Sequence, residues 1–217
     1  MKKVLLSAVA ILGFTFANAQ EEEAATGFGF AQGDIIVEGN LSFGTSTDDM
    51  GGGVEQKNSN FNFNPKVGYF IADKFAVGAE LGIGSGKDEN TAGGVTVEDK
   101  TNSFNGGVFA RYYFLDLGQR FKTYAEAGVG FGSAKSETDG NENWSSTGFG
   151  IGIDLGINYF VTERFAINFG LTDVLSYNNT KTEFPGGGET TSNGFNGNLN
   201  QFNNFFSAAQ FGLTWKF

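Results

Sequence analysis

The stretch "GFGIGIDLGINYF", residues 148–160, alternates strictly between two kinds of side chain. Its odd-numbered positions, from Phe149 to Tyr159, are large and apolar, whereas its even-numbered positions from Gly148 to Asn158 are glycine, Asp154 or Asn158. Because successive side chains of a β-strand point to opposite faces, this pattern predicts a strand with one apolar face and one small or polar face. The same alternation recurs along the chain and ends in "SAAQFGLTWKF", residues 207–217.

Eight segments share this period of two, and each is about as long as a tilted strand needs to cross a bilayer. Brief connections ("IADK", "LDLGQR", "VTER") alternate with long polar ones rich in Gly, Asn, Ser and Thr. Residues 34–217 are therefore predicted to form an all-β fold, an eight-stranded antiparallel transmembrane β-barrel with short periplasmic turns and long extracellular loops. The predicted strands are 34–44, 59–71, 74–85, 102–114, 121–133, 146–160, 164–177 and 203–217, and the predicted long loops are 45–58, 86–101, 134–145 and 178–201.

The chain begins with two lysines, an apolar run from Val4 to Phe16 and small residues at Ala17 and Ala19. This order is typical of a secretory signal peptide, predicted here as residues 1–19 with Ala17 and Ala19 at the cleavage site. The apolar run is shorter than the roughly 20 residues of a spanning helix. Residues 20–33, acidic and without clear periodicity, are predicted to be a short periplasmic tail.

Composition narrows the possible functions. The chain has 25 phenylalanines and 34 glycines but neither cysteine nor histidine, so disulfides, thiol catalysis and histidine-based catalysis are excluded. Its formal net charge of −10 disfavours nucleic acid as a partner. Carboxylates alone could supply a general acid and base, but a filled lumen would deny them substrate. We therefore expect no enzyme, no catalytic residue, no cofactor and no metal.

Aromatic residues cluster beside the short connections. In a membrane barrel they would form a girdle at one interface with lipid, since aromatic side chains favour that depth. The predicted girdle comprises Tyr69, Phe75, Tyr112, Phe121, Tyr159, Phe165 and Trp215. A propeller or solenoid would need more copies of the repeat and a soluble exterior. A soluble barrel of the lipocalin kind would bury the carboxylates among glycines while exposing its apolar face.

Taken together, these features resemble the small outer-membrane β-barrels of the OmpA and OmpX type, and the resemblance covers the mature chain. Its most specific part is the closing sequence, in which alternate positions are apolar and the last residue is phenylalanine. The resemblance implies location in the bacterial outer membrane and insertion by the barrel-assembly machinery. The residues that match this assembly signal are Phe211, Leu213, Trp215 and Phe217. No segment follows the last predicted strand, so we expect no peptidoglycan-binding domain.

The alternation also predicts which side chains face the lumen. Charged residues among them fall in one layer and are expected to form a charge network: Glu38, Lys66, Glu80, Arg111, Glu126 and Asp154. Phe109, Tyr124 and Asn168 share this face. An eight-stranded barrel is only wide enough for its side chains to fill, which favours a plugged scaffold. The many inward glycines leave a narrow polar pore as the alternative.

We expect the loops to contact the outside, either as a surface that recognises an extracellular ligand or as a solvated variable surface. Their acids could attract divalent cations that bridge to lipopolysaccharide phosphates. The expected partners are thus outer-membrane lipid, lipopolysaccharide and the assembly machinery, with the barrel itself a monomer. Asp173 falls on the lipid-facing register of its strand and is expected at the outer interface or beside a bulge.

Overall fold

The computed structural model describes residues 27–197 and 210–217, so the predicted signal peptide and its cleavage site lie outside the described residues. Nine strands follow one another along the chain. They are β1 (Ile35–Gly51), β2 (Val54–Ala72), β3 (Phe75–Ala92), β4 (Val95–Leu117), β5 (Phe121–Thr138), β6 (Asn141–Phe160), β7 (Phe165–Phe184), β8 (Gly188–Gly197) and β9 (Gln210–Lys216). Within the part of the chain that the structure describes, no helix is long and apolar enough to cross a membrane.

Antiparallel pairing closes the sheet into a ring of eight strands. Strands β1 to β7 pair in sequence order, and β9 pairs with both β7 and β1. β8 pairs with the distal part of β7, Leu175–Phe184, whereas β9 pairs with its proximal part, Phe165–Gly170. The predicted eight-stranded antiparallel barrel is confirmed.

The two faces of the barrel wall differ as the alternation requires. Outward apolar side chains are exposed, and Phe43 and Phe131 reach 78% and 70% exposure. The buried apolar cluster lies inside the barrel and contains Ile36, Phe70, Ala76, Tyr113 and Tyr124. A soluble barrel would bury its larger apolar face, so this distribution excludes the lipocalin-like alternative.

One end of the barrel has the short connections. Asp73 and Lys74 join β2 to β3, residues 118–120 join β4 to β5, and residues 161–164 join β6 to β7. Lys74 has a φ of 63°, and the register shifts between Phe70 and Ala72, as in a hairpin whose turn ends on a left-handed residue with a bulge.

The connections at the opposite end are long, as predicted, but they consist mostly of paired strands. The register of β3 and β4 continues without interruption from Phe75↔Tyr112 to Ala92↔Val95. Gly93 and Gly94, with φ values of 59° and 82°, complete a two-residue hairpin turn. These segments carry polar side chains on both faces, so no hydrophobic alternation marked them as strand.

The pairing of β6 with β7 is interrupted at one place. Ile153 pairs with Leu175 and Leu155 with Leu171. One residue of β6, Asp154, therefore lies opposite three residues of β7, 172–174. Two extra residues in β7 therefore form a bulge at Asp173, one of the two settings predicted for that residue.

Candidate functional site in the barrel lumen

Arg111 of β4 lies at the centre of the lumen and is 1% exposed. Its Nη1 and Nη2 each donate to one carboxylate oxygen of Glu38 on β1, both at 2.7 Å. Its Nε donates to Oε2 of Glu126 on β5, also at 2.7 Å. The planar guanidinium thus holds one carboxylate in a bidentate pair and a second through its remaining edge, a geometry that lysine could not reproduce.

A second cation extends this arrangement towards the end of the barrel with the long hairpins, which we call the hairpin end. The ammonium of Lys66 on β2 lies 2.5 Å from Glu126 Oε1 and 2.7 Å from Glu80 Oε2 on β3. Glu126 therefore bridges the two cations. We call Glu38, Lys66, Glu80, Arg111 and Glu126 the lumen cluster. Buried charges are tolerated when they are paired and hydrogen-bonded, which these contacts provide.

Neutral polar side chains link the cluster to the remaining strands. Thr214 of β9 donates to Glu38 at 2.7 Å, and Asn158 of β6 donates to Thr214 at 2.8 Å. Asn168 of β7 donates to Glu38 at 3.2 Å. Every strand of the ring consequently contributes a side chain to one continuous network across the lumen.

Aromatic rings pack around the guanidinium. The Arg111 Cζ lies 4.1 Å from the centre of the Tyr124 ring and 5.4 Å from that of Phe109. A Cβ added at Gly156 would lie 2.3 Å from Tyr124, and one added at Gly78 would lie 2.5 Å from Phe109. These two glycines therefore leave the space that the aromatic rings occupy.

Asp154, the sixth residue predicted for the charge network, pairs in register with Glu126 across β5 and β6. It lines the cavity above the lumen cluster. The structure thus brings five predicted residues into direct contact and places the sixth beside them. Sequence reasoning missed Tyr113 and Thr214, although both share the inward register: Tyr113 follows Arg111 by two positions, and Thr214 lies between outward Leu213 and Trp215.

The N-terminal segment packs inside the short-turn end of the barrel. Phe30 stacks on Phe70 with ring centres 4.7 Å apart and packs against Tyr113 and Phe160 at 4.5 and 5.1 Å. These three partners are at most 1% exposed. Residues 27–33, predicted as part of a short periplasmic tail, therefore pack against the inside of the barrel, because the barrel presents an inward aromatic pocket that fits Phe30. We call this segment the plug.

Polar contacts fix this plug. Lys216 of β9 donates to the carbonyls of Gly27 and Gly29 at 3.4 and 2.9 Å, and the amide of Gln32 donates to Asp73 at 2.9 Å. Asp34 accepts from the amide of Ala31 at 2.9 Å. Burial raises the pKa of the Asp34 carboxyl above its ordinary value of 3.8.

The other half of the lumen is open. A cavity of about 670 Å³ extends from the lumen cluster towards the hairpin end. Its wall combines glycines with uncharged polar residues, among them Asn64, Ser103, Asn105, Asn178 and Thr180. Glu80, Glu126 and Asp154 lie at its floor together with Lys66. The polar lining makes this half a water-accessible vestibule.

The sequence matches the model of one protein family over almost its whole length. The outer membrane protein beta-barrel domain matches residues 6–217. The chain belongs to this family. It is a protein of the bacterial outer membrane, and in such barrels the short turns face the periplasm and the longer connections face outside.

Solved outer-membrane barrels are similar to this chain at low identity. OprG from Pseudomonas aeruginosa is 16% identical, with a TM-score of 0.47, over 87% of this chain and 98% of OprG. Neisserial surface protein A is 18% identical, with a TM-score of 0.46, over 87% and 99% of the two chains. Outer membrane protein W of E. coli is 11% identical, with a TM-score of 0.43, over 86% and 99%. Comparison with curated proteins gave no significant match.

Outward aromatic side chains form two rings, one towards each end of the barrel wall, and their role as girdles at the lipid interfaces stays a prediction. All seven residues of the predicted periplasmic girdle face outward, and Phe165 packs on Trp215 at 5.9 Å. A second ring, which the sequence analysis did not identify, lies towards the hairpins and comprises Phe43, Phe61, Phe104, Phe131, Phe149, Tyr177 and Phe195. Phe121 and Phe131 are ten residues apart on β5, which corresponds to about 25 Å across the membrane at the usual tilt.

The closing residues of the chain lie on this lipid-facing surface. Phe211, Leu213, Trp215 and Phe217 are 38–55% exposed and face outward from β9 and its end. Their role as an assembly signal stays a prediction.

Proposed function

We propose that this outer-membrane barrel is a closed scaffold that presents its extracellular hairpins for interaction. The observation that carries the proposal is the contact of Arg111 with Glu38 and Glu126, because it spans the lumen from β4 to β1 and β5. A barrel of eight strands leaves little space beyond its own side chains. The lumen cluster occupies that space in its middle layer.

The N-terminal plug supports the same proposal from the periplasmic side. Phe30 fills the lumen below the cluster, and Lys216 holds the backbone of the segment that carries it. An ion would have to displace both the plug and the paired charges to cross the membrane. Such a double barrier favours a structural role over transport.

The hairpins supply the interaction surface. Because β3 and β4 remain paired up to Ala92↔Val95, they extend the barrel wall beyond the lipid rather than forming loose loops. Rigid elements that carry exposed residues are suited to recognition of an extracellular ligand. The role proposed is non-enzymatic, since the chain has no histidine or cysteine and the lumen carboxylates are engaged by cations.

A small passive pore is the second candidate, and the vestibule favours it. The cavity already opens half of the lumen to the outside and ends on carboxylates that could attract cations. Conduction would then require rearrangement of the lumen cluster and of the plug.

Single-channel conductance of the purified, folded protein in a planar bilayer tests the two candidates. The closed scaffold predicts silence from the native protein, with openings appearing only in Arg111→Ala. A native protein with stable openings that change in Arg111→Ala would overturn the scaffold and establish the pore. Lys74→Ala is the control, because Lys74 pairs with Asp116 at the exposed periplasmic end.

The interaction role has its own test. Removing residues 88–99 leaves Lys87 beside Lys100, its partner in the register, so the rest of the barrel keeps its pairing. We expect the shortened protein to fold and to lose binding of cells that display it to an extracellular surface or partner. Unchanged binding in this variant and in equivalent truncations of the other hairpins would contradict the proposal.

A further inference from the structure

Five strands carry the same seven-residue pattern on their extracellular half. Read outward from the membrane, it consists of a large apolar residue, then Ser or Asn, then Lys, then Glu, each separated by one residue. Strands β3, β5 and β7 read "IGSGKDE" (83–89), "FGSAKSE" (131–137) and "YNNTKTE" (177–183), whereas β2 and β4, which run in the opposite direction, read "EQKNSNF" (55–61) and "EDKTNSF" (98–104).

Alternation places all four defining positions of each pattern on the outer face. The first position belongs to the lipid-facing band, and the next three continue upward from it. The register aligns β3 with β4, since Ser85 pairs with Asn102 and Lys87 with Lys100. The neighbouring strands β2 and β5 are each offset by two residues, so that Lys57 pairs with Glu89 and Lys135 with Asn102. The five strands therefore present a band of lysines, Lys57, Lys87, Lys100, Lys135 and Lys181, around the outside of the barrel.

The height of this band matches the lipid headgroups. Each lysine lies four residues beyond the apolar position, which is about 10 Å further from the membrane centre for a tilted strand. Lysine side chains reach several ångströms towards a charged partner while their methylenes cover apolar surface. Their ammonium groups can thus lie within the headgroup layer.

The carboxylates that accompany the lysines all lie on one side of them. Lys87 pairs with Glu89 and Glu98 at 2.8 and 2.6 Å, and Lys135 pairs with Glu137 and Glu142 at 2.8 and 3.0 Å. Every one of these glutamates is farther from the membrane than its lysine in the strand register. Below the lysines lie only the hydroxyls and amides of Ser59, Ser85, Asn102, Ser133 and Asn179 along these columns.

The stability of the hairpins does not explain why the glutamates lie farther from the membrane than the lysines. Exposed ion pairs contribute little to folding, and either vertical order would serve equally well. A band that is positive towards the lipid and negative away from it suits contact with anionic headgroups. Hydrogen bonds that Lys87 donates to Glu89 and Glu98 also raise the pKa of its ammonium, so it remains charged.

We propose that the five lysines and the Ser and Asn layer beneath them bind the phosphate groups of the phosphorylated glycolipid in the outer leaflet. The lysines supply charge, and the hydroxyls and amides hydrogen-bond to the sugar that carries the phosphate. The glutamates compete for the lysines and repel anionic headgroups, which excludes the lipid from the hairpins above. This site lies on the outer wall and does not depend on whether the lumen conducts.

Native mass spectrometry of the folded protein in neutral detergent, titrated with bis-phosphorylated lipid A, tests the proposal. Lys87→Gln with Lys100→Gln should weaken association by about 25-fold, since each lysine near an anionic surface contributes about fivefold. Lys74→Gln with Arg164→Gln removes two exposed cations at the periplasmic end and should change it less than twofold. A neutral glycolipid should bind all three proteins equally weakly.

Equal lipid A affinity in the native protein and the Lys87/Lys100 variant would overturn the proposal, as would an equal loss in the periplasmic control. If the lysine variant does not fold, Glu89→Gln with Glu98→Gln decides the matter. It leaves the lysines without competing carboxylates, so the proposal expects tighter lipid A binding. Unchanged or weaker binding by that variant would show that the lysines serve the hairpin alone.

Discussion

The two halves of the lumen are built from the same strands but are filled in opposite ways. The periplasmic half contains Phe30, Phe70, Tyr113 and Phe160 packed together, with the lumen cluster above them. The extracellular half contains Asn, Ser, Thr and Gly around an open cavity. Alternation decides which residues face inward, whereas their size and charge decide how fully each half of the lumen is filled.

The largest effect is expected at the centre of the closed half. Arg111→Met leaves Glu38 and Glu126 without their shared cation and should lower the free energy of unfolding by about 3–5 kcal/mol. Urea titration of the protein in lipid vesicles measures this. Lys181→Met, on an exposed hairpin, is the matched control and should have a much smaller effect. Equal losses in the two variants would show that the lumen cluster is not what stabilises the barrel.

Glycine substitutions compare the packing of the two halves directly. Gly156→Ala places a methyl 2.3 Å from Tyr124 in the closed half and should cost about 1–3 kcal/mol of unfolding free energy. Gly132→Ala, in the vestibule wall, meets its nearest atom only at 3.6 Å and should be neutral or slightly stabilising. The same urea titration compares them. If Gly132→Ala proved as harmful as Gly156→Ala, the vestibule would not be open.

Chemical labelling distinguishes the halves by access. The chain has no cysteine, so single substitutions can be labelled without background. Ser103→Cys lines the vestibule, whereas Ala76→Cys replaces a residue that is 0% exposed in the closed half. A membrane-impermeant maleimide added to intact cells should label the first at least about a hundredfold faster, since reaction requires an exposed thiolate. Comparable rates would mean that water reaches both halves.

The smallest effect concerns pH, and its sign should differ between the two ends. Hydrogen bonds from Lys100 and Lys87 lower the pKa of Glu98 below its ordinary 4.5. Its contribution is present above that value and is lost as pH falls through the lower folded pKa. Asp34 has a raised pKa, so its contribution is present below 3.8 and is lost as pH rises through the folded value.

Limited proteolysis at neutral pH and at acidic pH values that span these two pKa values measures local unfolding at both ends of the barrel. Acidification should increase cleavage within the β3–β4 hairpin relative to neutral pH, while cleavage at residues 27–33 should not increase. Glu98→Gln should remove part of the pH dependence at the hairpin and none at the plug. Cleavage of the plug that rises together with that of the hairpin would refute the opposite signs.

Sequence reasoning reached the barrel because lipid requires an apolar outer face on every strand, as residues 148–160 show. It also selected the charged lumen residues, since charges on the lipid face would be costly. It placed too few residues in strands where both faces are polar, as in the β3–β4 hairpin. There the strand continues through backbone pairing, which leaves no hydrophobic period to detect.

The plug escaped detection for a different reason. Phe28 and Phe30 stand in a glycine-containing acidic segment whose sequence has no period. Their position depends on a pocket that Phe70, Tyr113 and Phe160 form only after three distant strands have come together. Neither the residue types nor their spacing shows that such a pocket exists, so only the three-dimensional arrangement reveals it.

The hydrogen-bond partners of Glu38 are distant in sequence, and this affects how the barrel assembles. Its partners Arg111 and Thr214 lie 73 and 176 positions further along the chain, on the fourth strand and on the last. Glu38 can therefore acquire its full set of bonds only when the first and last strands have met. A partly assembled sheet would carry an incompletely neutralised carboxylate in its concave face, at a cost that closure removes. The charged layer thus makes the final pairing of the first and last strands cooperative and disfavours partly assembled, open intermediates.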